Sequence, residues 1–320
     1  MQLGSRRAFL ALAMASALAL PASAQQMDSL SIMAPAAPGG GWDGTARAMQ
    51  DALQSAGIVK AVTVDNVAGA GGTVGLAQFA RKKGDGKSIM VMGLVMVGAA
   101  LTNKAPVPIT AVTPIARLTS EWQAIAVPVS SDIKSVADLT AKLKANPGSV
   151  SWGGGSAGGT DHMTAALYAK AVGADASKVN YIAHSGGGEA MASILGGHVT
   201  LGVSSASELE PQVKAGKLRW IAVTSSERIP GIDAPTLKEQ GVDLVIGNWR
   251  GVLAAPDISA ADRDKLTAVI DAMVKSPQWQ KILTDRGWLD NYQSGPAFAA
   301  YLEEENRRTA DVLKSVGLVK

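Results

Sequence analysis

The sequence predicts an α/β protein of two lobes, and three observations lead there. Short β-rich runs alternate with helical ones along most of the chain. Glycine makes up 35 of 320 residues, about 11% against a usual ~7%, and clusters at strand-to-helix turns. Two extended, proline-punctuated segments, Trp122–Ser130 and Asn248–Pro256, stand about 125 residues apart and bracket a self-contained α/β block. Alternation of this kind favours mixed, mostly parallel sheets, because parallel strands need a helical crossover. Two crossing strands would make the first lobe discontinuous, residues 25–125 with 247–320, around a second lobe of 126–246, with a hinge and a cleft between them.

The elements follow in order. Leu30–Met33 reads as a strand, Asp43–Ser55 as a helix, Val62–Asn66 as a strand, Val74–Lys82 as a helix and Ser88–Met92 as a strand. The series resumes with Val136–Lys144, Ser149–Trp152, Thr160–Val172, Val179–Ile182, Glu189–Leu195, Val199–Val203 and Leu218–Val223. Thr160 is placed to cap one helix that ends at Gly173, and Ser259 to cap another carrying Leu266, Val269, Ile270 and Met273 on one face. The rest, Ala260 to Val316, reads as helix throughout, with Glu303–Arg307 and Glu304–Arg308 pairs on the exposed face of its last segment.

Composition removes several classes of function. The sequence has no cysteine, which excludes a disulfide scaffold, a thiolate metal site and a thiol nucleophile. Arg6 and Arg7, the apolar run Ala8–Leu20 and Ala22-Ser23-Ala24 form an export signal cleaved after Ala24. Ser5-Arg6-Arg7-Ala8-Phe9-Leu10 has the twin-arginine pattern, with the general secretory route as the alternative. Without Met1–Ala24 the chain holds 28 basic against 27 acidic residues, so the sequence pI of about 9.0 owes part of its height to the signal and no nucleic-acid partner is implied. The 13-residue stretch Ile89–Leu101 is too short to span a bilayer and reads as a buried strand running into a helix. A soluble periplasmic monomer is expected.

Chemistry concentrates in the glycine turns. They are Ala37–Thr45, Val67–Thr73, Trp152–His162 and His184–Glu189, with Ser204-Ser205 after a later strand. Turns at the carboxyl ends of strands are where open α/β sheets hold ligands. Glycine admits close backbone approach, and the following helix start supplies unpaired N–H groups with partial positive charge. No Lys or Arg occurs from Gly148 to Ala169 or from Val179 to Val213, so an anion bound there would rest on amides and hydroxyls rather than on salt bridges. Trp42, inside the first turn, is expected to line the cleft, while Met96 divides evenly between cleft wall and core. Arg47 reads as an intrahelical or core-edge ion pair rather than a carboxylate ligand.

Two enzyme motifs overlap the third turn. Gly153-x-Gly155-x-x-Gly158, with Asp175 downstream, has dinucleotide-site spacing. Gly154-x-Ser156-x-Gly158 fits a hydrolase nucleophile elbow, with Ser156 as nucleophile. That reading needs a base, and His184 and His198 are the only histidines after His162. His162 falls in the first turn of a helix, where packing suits it better than catalysis. His184 borders a glycine turn and is a candidate donor to a ligand carboxylate, and His198 reads as solvent-facing. No metal-ligand spacing emerges among them, and no cofactor is expected.

The motifs Pro38-Gly39-Gly40-Gly41-Trp42-Asp43 with Ala46-Arg47, Ala70–Gly75, Gly155–His162 and Val179–Ala190 together carry a resemblance over Met27 to Lys320. The chain resembles the substrate-binding proteins of tripartite tricarboxylate transporters, the TctC or Bug type. The resemblance implies a non-enzymatic, two-lobed periplasmic receptor of the Venus-flytrap kind that closes on an organic anion and docks on integral membrane permease subunits. It implies a first-lobe grip by Gly40, Gly41, Trp42, Asp43 and Thr45, a second-lobe grip by Ser156, Gly159, Thr160 and Asp161, and a reading of the far end by His184, Ser204 and Ser205. Many such proteins carry a Thr-like residue where Trp42 stands. With Met96 and His184–Gly188, this departure points away from amino acids and toward citrate-like di- and tricarboxylates or aromatic acids. An exported serine hydrolase and a sensory receptor are the alternatives.

Overall fold

The computed structural model describes residues 26–320, so the signal reading on Met1–Ala24 lies outside the described residues. The first lobe begins with β1 (Met27–Ala34), α1 (Gly41–Ser55), β2 (Val59–Asn66), α2 (Thr73–Phe79), β3 (Ser88–Gly93) and α3 (Leu94–Thr102). Strand β1 lies parallel between β2 and β3, with Ile32 opposite Val64 on one side and Ile89 on the other. Every residue of β3 is buried, as expected for a strand covered on both faces. Helix α1 buries Trp42, Ala46, Met49 and Leu53, a stripe at helical spacing.

The 16-residue strand β4 (Thr113–Pro128) then leaves for the second lobe. That lobe holds α4 (Val136–Ala145), β5 (Ser151–Gly154), α5 (Thr160–Ala171), β6 (Asn180–Ala183), α6 (Gly187–Leu195), β7 (Leu201–Ser205), α7 (Ala206–Lys214) and β8 (Leu218–Val223). The chain returns through β9 (Gly247–Ala254) and closes with α8 (Ala260–Val274), α9 (Pro277–Arg286), β10 (Leu289–Ser294) and α10 (Gly295–Ser315). One apolar core lies around the first sheet and two smaller ones flank the second, the larger of these centred on Trp152 and Tyr168. Among the described residues no helix is long and apolar enough to cross a membrane.

Strand β4 joins the sheets by changing partners. Thr113 to Trp122 pair with β9, and from Gln123 onward the strand pairs with β7 and β8. The return lies beside that point, where Thr224 N–H donates to Gln123 O at 2.9 Å and Ile246 N–H donates to Thr224 O at 3.2 Å. Asn248–Pro256 is therefore not itself a crossing segment: most of it is β9, wholly within the first sheet between β3 and β4.

The sheets are mixed, as expected, with β4 running outward and β9 running back, both antiparallel to their neighbours. Three local features differ from the sequence expectation. The C-terminal region is not wholly helical, since Leu289–Ser294 forms β10 on the edge of β4, with Arg117 Nε donating to Asn291 O at 3.1 Å. Its polar residues are exposed or half-buried and give no alternation to read. Gly159, not Thr160, caps α5, and the Thr160 hydroxyl instead donates to Asn248 Oδ1 at 3.1 Å. On α10 the ion pairs are Glu304–Arg307 and Glu305–Arg308, one residue closer in spacing than expected.

Candidate functional site

The glycine turns of both lobes converge on one cavity of about 110 Å³ between the sheets. The first lobe contributes Gly40, Gly41 and Trp42 at the start of α1 and Gly69–Gly72 before α2. The second contributes Ser156, Gly159, Thr160 and Asp161 around the start of α5, Ser185–Gly187 at α6, and Ser204, Ser205 and Glu208 at α7. Glu121 and Gln123 of β4 and Asn248 and Arg250 of β9 complete the wall. Side chains two apart on a strand share a face, so each strand delivers two polar groups to the cavity. A wider cleft of about 710 Å³ adjoins it and shares Gly40, Gly41, Glu121, Glu208 and Arg250 as a partition.

The helix starts facing this cavity are open. Helices α1, α5, α6 and α7 begin at Gly40, Gly159, Gly186 and Ser205 with no side-chain hydrogen bond closing the first turn. Away from it, α4, α8 and α9 are closed by Ser135, Ser259 and Ser276, each accepting an N–H from the first turn. Uncapped first-turn amides and the helix dipole together make anion-binding ends.

Four ionisable side chains line the cavity. Arg250 pairs with Glu121, both almost wholly buried, and stands 4.0 Å from Glu208. Burial pushes the Glu121 carboxyl up; Arg250 opposes this and Glu208 adds to it. Glu208 takes a hydrogen bond from the Ser204 hydroxyl at 2.6 Å. Burial pushes Asp161 up to about 7, against a hydrogen bond from the Gly155 N–H at 2.8 Å and with a further push from Glu208 and Glu121. Burial pulls His162 down to about 4. Its Nδ1 accepts the Gly158 N–H at 3.1 Å, and its ring stacks on Tyr181 at 4.3 Å.

Of the residues singled out from sequence, Gly40, Gly41, Trp42, Ser156, Gly159, Thr160, Asp161, Ser204 and Ser205 meet at this cavity. Four do not line it. Asp43 turns back on its own loop, accepting from Gly39 N–H, Arg47 and Asn66; burial raises its carboxyl but these three hydrogen bonds outweigh that and hold it below the usual range. Thr45 bonds back to Gly41 O at 2.9 Å, and Met96 is wholly buried core. His184 is tied to Gly154 O through its Nδ1 at 3.0 Å. Arg47 forms the intrahelical pair with Asp43, and His198 is exposed. Glu121, Gln123, Asn248, Arg250 and Glu208 were not singled out; Arg250 brings a guanidinium to the wall, where it is engaged with Glu121.

Ser156 lacks the features of a nucleophile elbow. A nucleophile elbow is a strained turn, but the non-glycine residues with left-handed backbone among the described residues are Ala70, Lys104 and Asp257. The ring nitrogens of His162 and His184 named above are spent on the backbone rather than on Ser156. Among the described residues no group of three or more potential metal ligands occurs.

Two α/β lobes joined by strands, with open helix ends turned into the crevice between them, define a binding protein of the periplasmic type. The chain belongs to the TctC family, the tripartite tricarboxylate transporter family receptors, whose model matches residues 45–318. It is 30% identical over 267 residues, 81% of this chain and 76% of the relative, to the UPF0065 protein in the TAR-I ttuE-ttuC' intergenic region of Agrobacterium vitis. It is 25% identical over 308 residues, 94% of this chain and 93% of the relative, to protein BugT of Bordetella pertussis. The solved periplasmic binding protein BugD superposes with a TM-score of 0.81 at 26% identity, over 92% of this chain and 99% of that one. The malate-bound MatC of Rhodopseudomonas palustris shares the fold, with a TM-score of 0.80 at 23% identity over 89% and 99% of the two chains.

Proposed function

We propose that this chain is a periplasmic receptor that captures a small organic carboxylate, of the di- or tricarboxylate or aromatic-acid class, in the interlobe cavity. It then hands the ligand to integral membrane subunits of a tripartite transporter. The observation that carries the reading is the convergence of four uncapped helix starts, α1 from one lobe and α5, α6 and α7 from the other, on a single cavity. Amides at such ends meet a carboxylate with oriented dipoles, and release follows when the lobes part. The lobes divide near residues 125 and 247, where β4 and the return to β9 lie side by side, and rotation about these two connections opens the cleft.

The protein is exported and its signal removed after Ala24. It works by stoichiometric binding, a reading supported over an ester hydrolase built on Ser156 by the backbone bonds that His162 and His184 make through Nδ1. Ligand shifts the population from open to closed lobes, since only the closed form offers both sets of amides at once. Isothermal calorimetry against citrate, other di- and tricarboxylates and aromatic acids tests the proposal. Saturable one-to-one binding of at least one acid is expected, and no heat from any member of the panel overturns it.

A further inference from the structure

The second-lobe turn that faces the cavity, Gly155-Ser156-Ala157-Gly158-Gly159, has three glycines in five residues. Glycine lacks the steric limits that hold other residues to a few conformations, so such a turn does not order itself. Three side chains hold it. Asp161 Oδ2 accepts the Gly155 N–H at 2.8 Å, and the Tyr181 hydroxyl donates to the Gly155 carbonyl oxygen at 2.8 Å. At the other end His162 Nδ1 accepts the Gly158 N–H at 3.1 Å. The Gly159 N–H closes on Ser156 O at 3.0 Å. Among the described residues no group takes the N–H of Ser156 or of Thr160, and both residues line the cavity.

His162 and Tyr181 act from outside the cavity, since neither lines it. His162 is the third residue of α5 and Tyr181 stands on β6, and the two rings stack with 9° between their planes. From the third helical position a side-chain acceptor reaches back to the amides ahead of the helix, as glutamate or glutamine does in a capping box. Here the acceptor is an imidazole, and it takes the N–H one residue before the Gly159 cap. A nitrogen that accepts carries no proton, so the bond exists only while the ring is neutral, and burial keeps it so by pulling its pKa down to about 4. The peptide it holds also meets the first lobe, because the Gly158 carbonyl oxygen faces Gly98 of α3.

We infer that His162 and Tyr181 are positioning residues of the anion site: one bonds the Gly158 N–H and the other the Gly155 carbonyl from behind the turn, which holds the Ser156 and Thr160 amides ready for the ligand. The inference rests on the carboxylate reading of the cleft and adds the groups that set its geometry. A ring that only fills space is replaceable by another flat ring. A ring that holds an amide is replaceable only by another acceptor.

Two substitutions separate these roles. His162→Phe keeps a ring to stack on Tyr181 and removes the acceptor, whereas His162→Gln gives up the stack and keeps an acceptor within reach of the Gly158 N–H. Calorimetry at pH 7.5 with citrate, succinate, glutarate and benzoate reads the outcome. His162→Phe is expected to weaken the tightest of these acids at least tenfold, and His162→Gln to stay within threefold of the parent. In the unliganded proteins, hydrogen exchange of the Gly158 amide is expected to speed up at least tenfold in His162→Phe and not in His162→Gln. Tyr181→Phe keeps the stack and loses the hydroxyl, so it is expected to weaken binding at least threefold, and it carries the test should His162→Phe fail to fold in a circular dichroism melt. Parent affinity and slow Gly158 exchange in His162→Phe, with the loss falling on His162→Gln, overturn the inference for His162, and parent affinity in Tyr181→Phe overturns it for Tyr181. If none of the four acids binds the parent protein, the carboxylate reading falls, and the exchange pattern still decides whether His162 holds the turn.

Discussion

Arg250 of β9 and Glu121 of β4 form an ion pair whose side chains are 6% and 5% exposed, placed where the two sheets meet. Asn248 Nδ2 also donates to Glu121 Oε1 at 3.2 Å, and its Oδ1 accepts from Thr160 of the second lobe at 3.1 Å. Ligand wall and interlobe seam are thus one polar network. Breaking a buried pair from one side leaves an uncompensated charge and costs about 3–5 kcal/mol, whereas replacing both partners costs far less. Arg250→Met is expected to lower stability in urea by about that much, and Glu121→Gln with Arg250→Met to recover at least half of it. Equal losses in the single and double variants would show that the pair is not what the seam depends on.

The lobes also touch through glycine. A Cβ on Gly98 of α3 would lie 2.0 Å from the carbonyl oxygen of Gly158, in the turn before α5. Gly98 has no left-handed backbone, so in the first lobe alone alanine improves helix propensity by up to about 1 kcal/mol. If the lobes part in the unliganded protein as proposed, Gly98→Ala is expected to leave the melting temperature unchanged or slightly raised while weakening ligand binding at least tenfold, because the open form relieves the clash with Gly158 O. Unchanged affinity would mean that this contact plays no part in closure.

Much of the fold and half of the site were legible because glycine turns and helix periodicity are local signals. The amide-bearing turns at Gly40–Trp42 and Gly159–Asp161 announce themselves by composition. The strand wall does not. Glu121-Trp122-Gln123 and Asn248-Trp249-Arg250 each place two polar residues around a tryptophan in an extended run, and alternation sends both polar groups to one face. That pattern was there to be read, but a lone charge in a strand acquires meaning only when its partner 129 residues away is known. Glu208 was hidden for the same reason: on α7 it looks like an ordinary first-turn acid. Strand β10 was missed because its pairing with β4, not its own pattern, makes it a strand.

Trp42 offers an optical reporter. It is 8% exposed, lines the cavity and packs where Gly72 leaves room, a Cβ there falling 2.6 Å from its ring. The chain has seven tryptophans, but none of the other six lines this cavity. Ligand entry is expected to change the emission, and Trp42→Phe to remove at least half of that change while retaining one-to-one binding by calorimetry. A full-sized change in the variant would assign the signal elsewhere, to lobe closure around Trp122 or Trp288 in the adjoining cleft.

Asp161 links the site to pH. Its carboxyl is pushed from 3.8 to about 7 by burial, with Glu208 of α7 and Glu121 of β4 adding to the rise and the Gly155 N–H and Arg250 of β9 opposing it. Tyr181 of β6 is raised well above its ordinary value, first by burial and then by Asp161, and stays neutral. A carboxyl raised by folding stabilises the native state fully below its unfolded value, and that contribution is lost as pH climbs through the folded one. Unliganded protein should therefore lose stability between about pH 4 and pH 8, by at most about 4 kcal/mol from this group. Asp161→Asn should flatten that part of the profile and melt higher than the parent at pH 8. An anionic ligand is expected to bind more weakly as pH passes from 6 to 8, since ionised Asp161 adds negative charge to the cavity. Calorimetry across that interval with Asp161→Asn alongside checks this, and a slope that survives in the variant would assign it to another group.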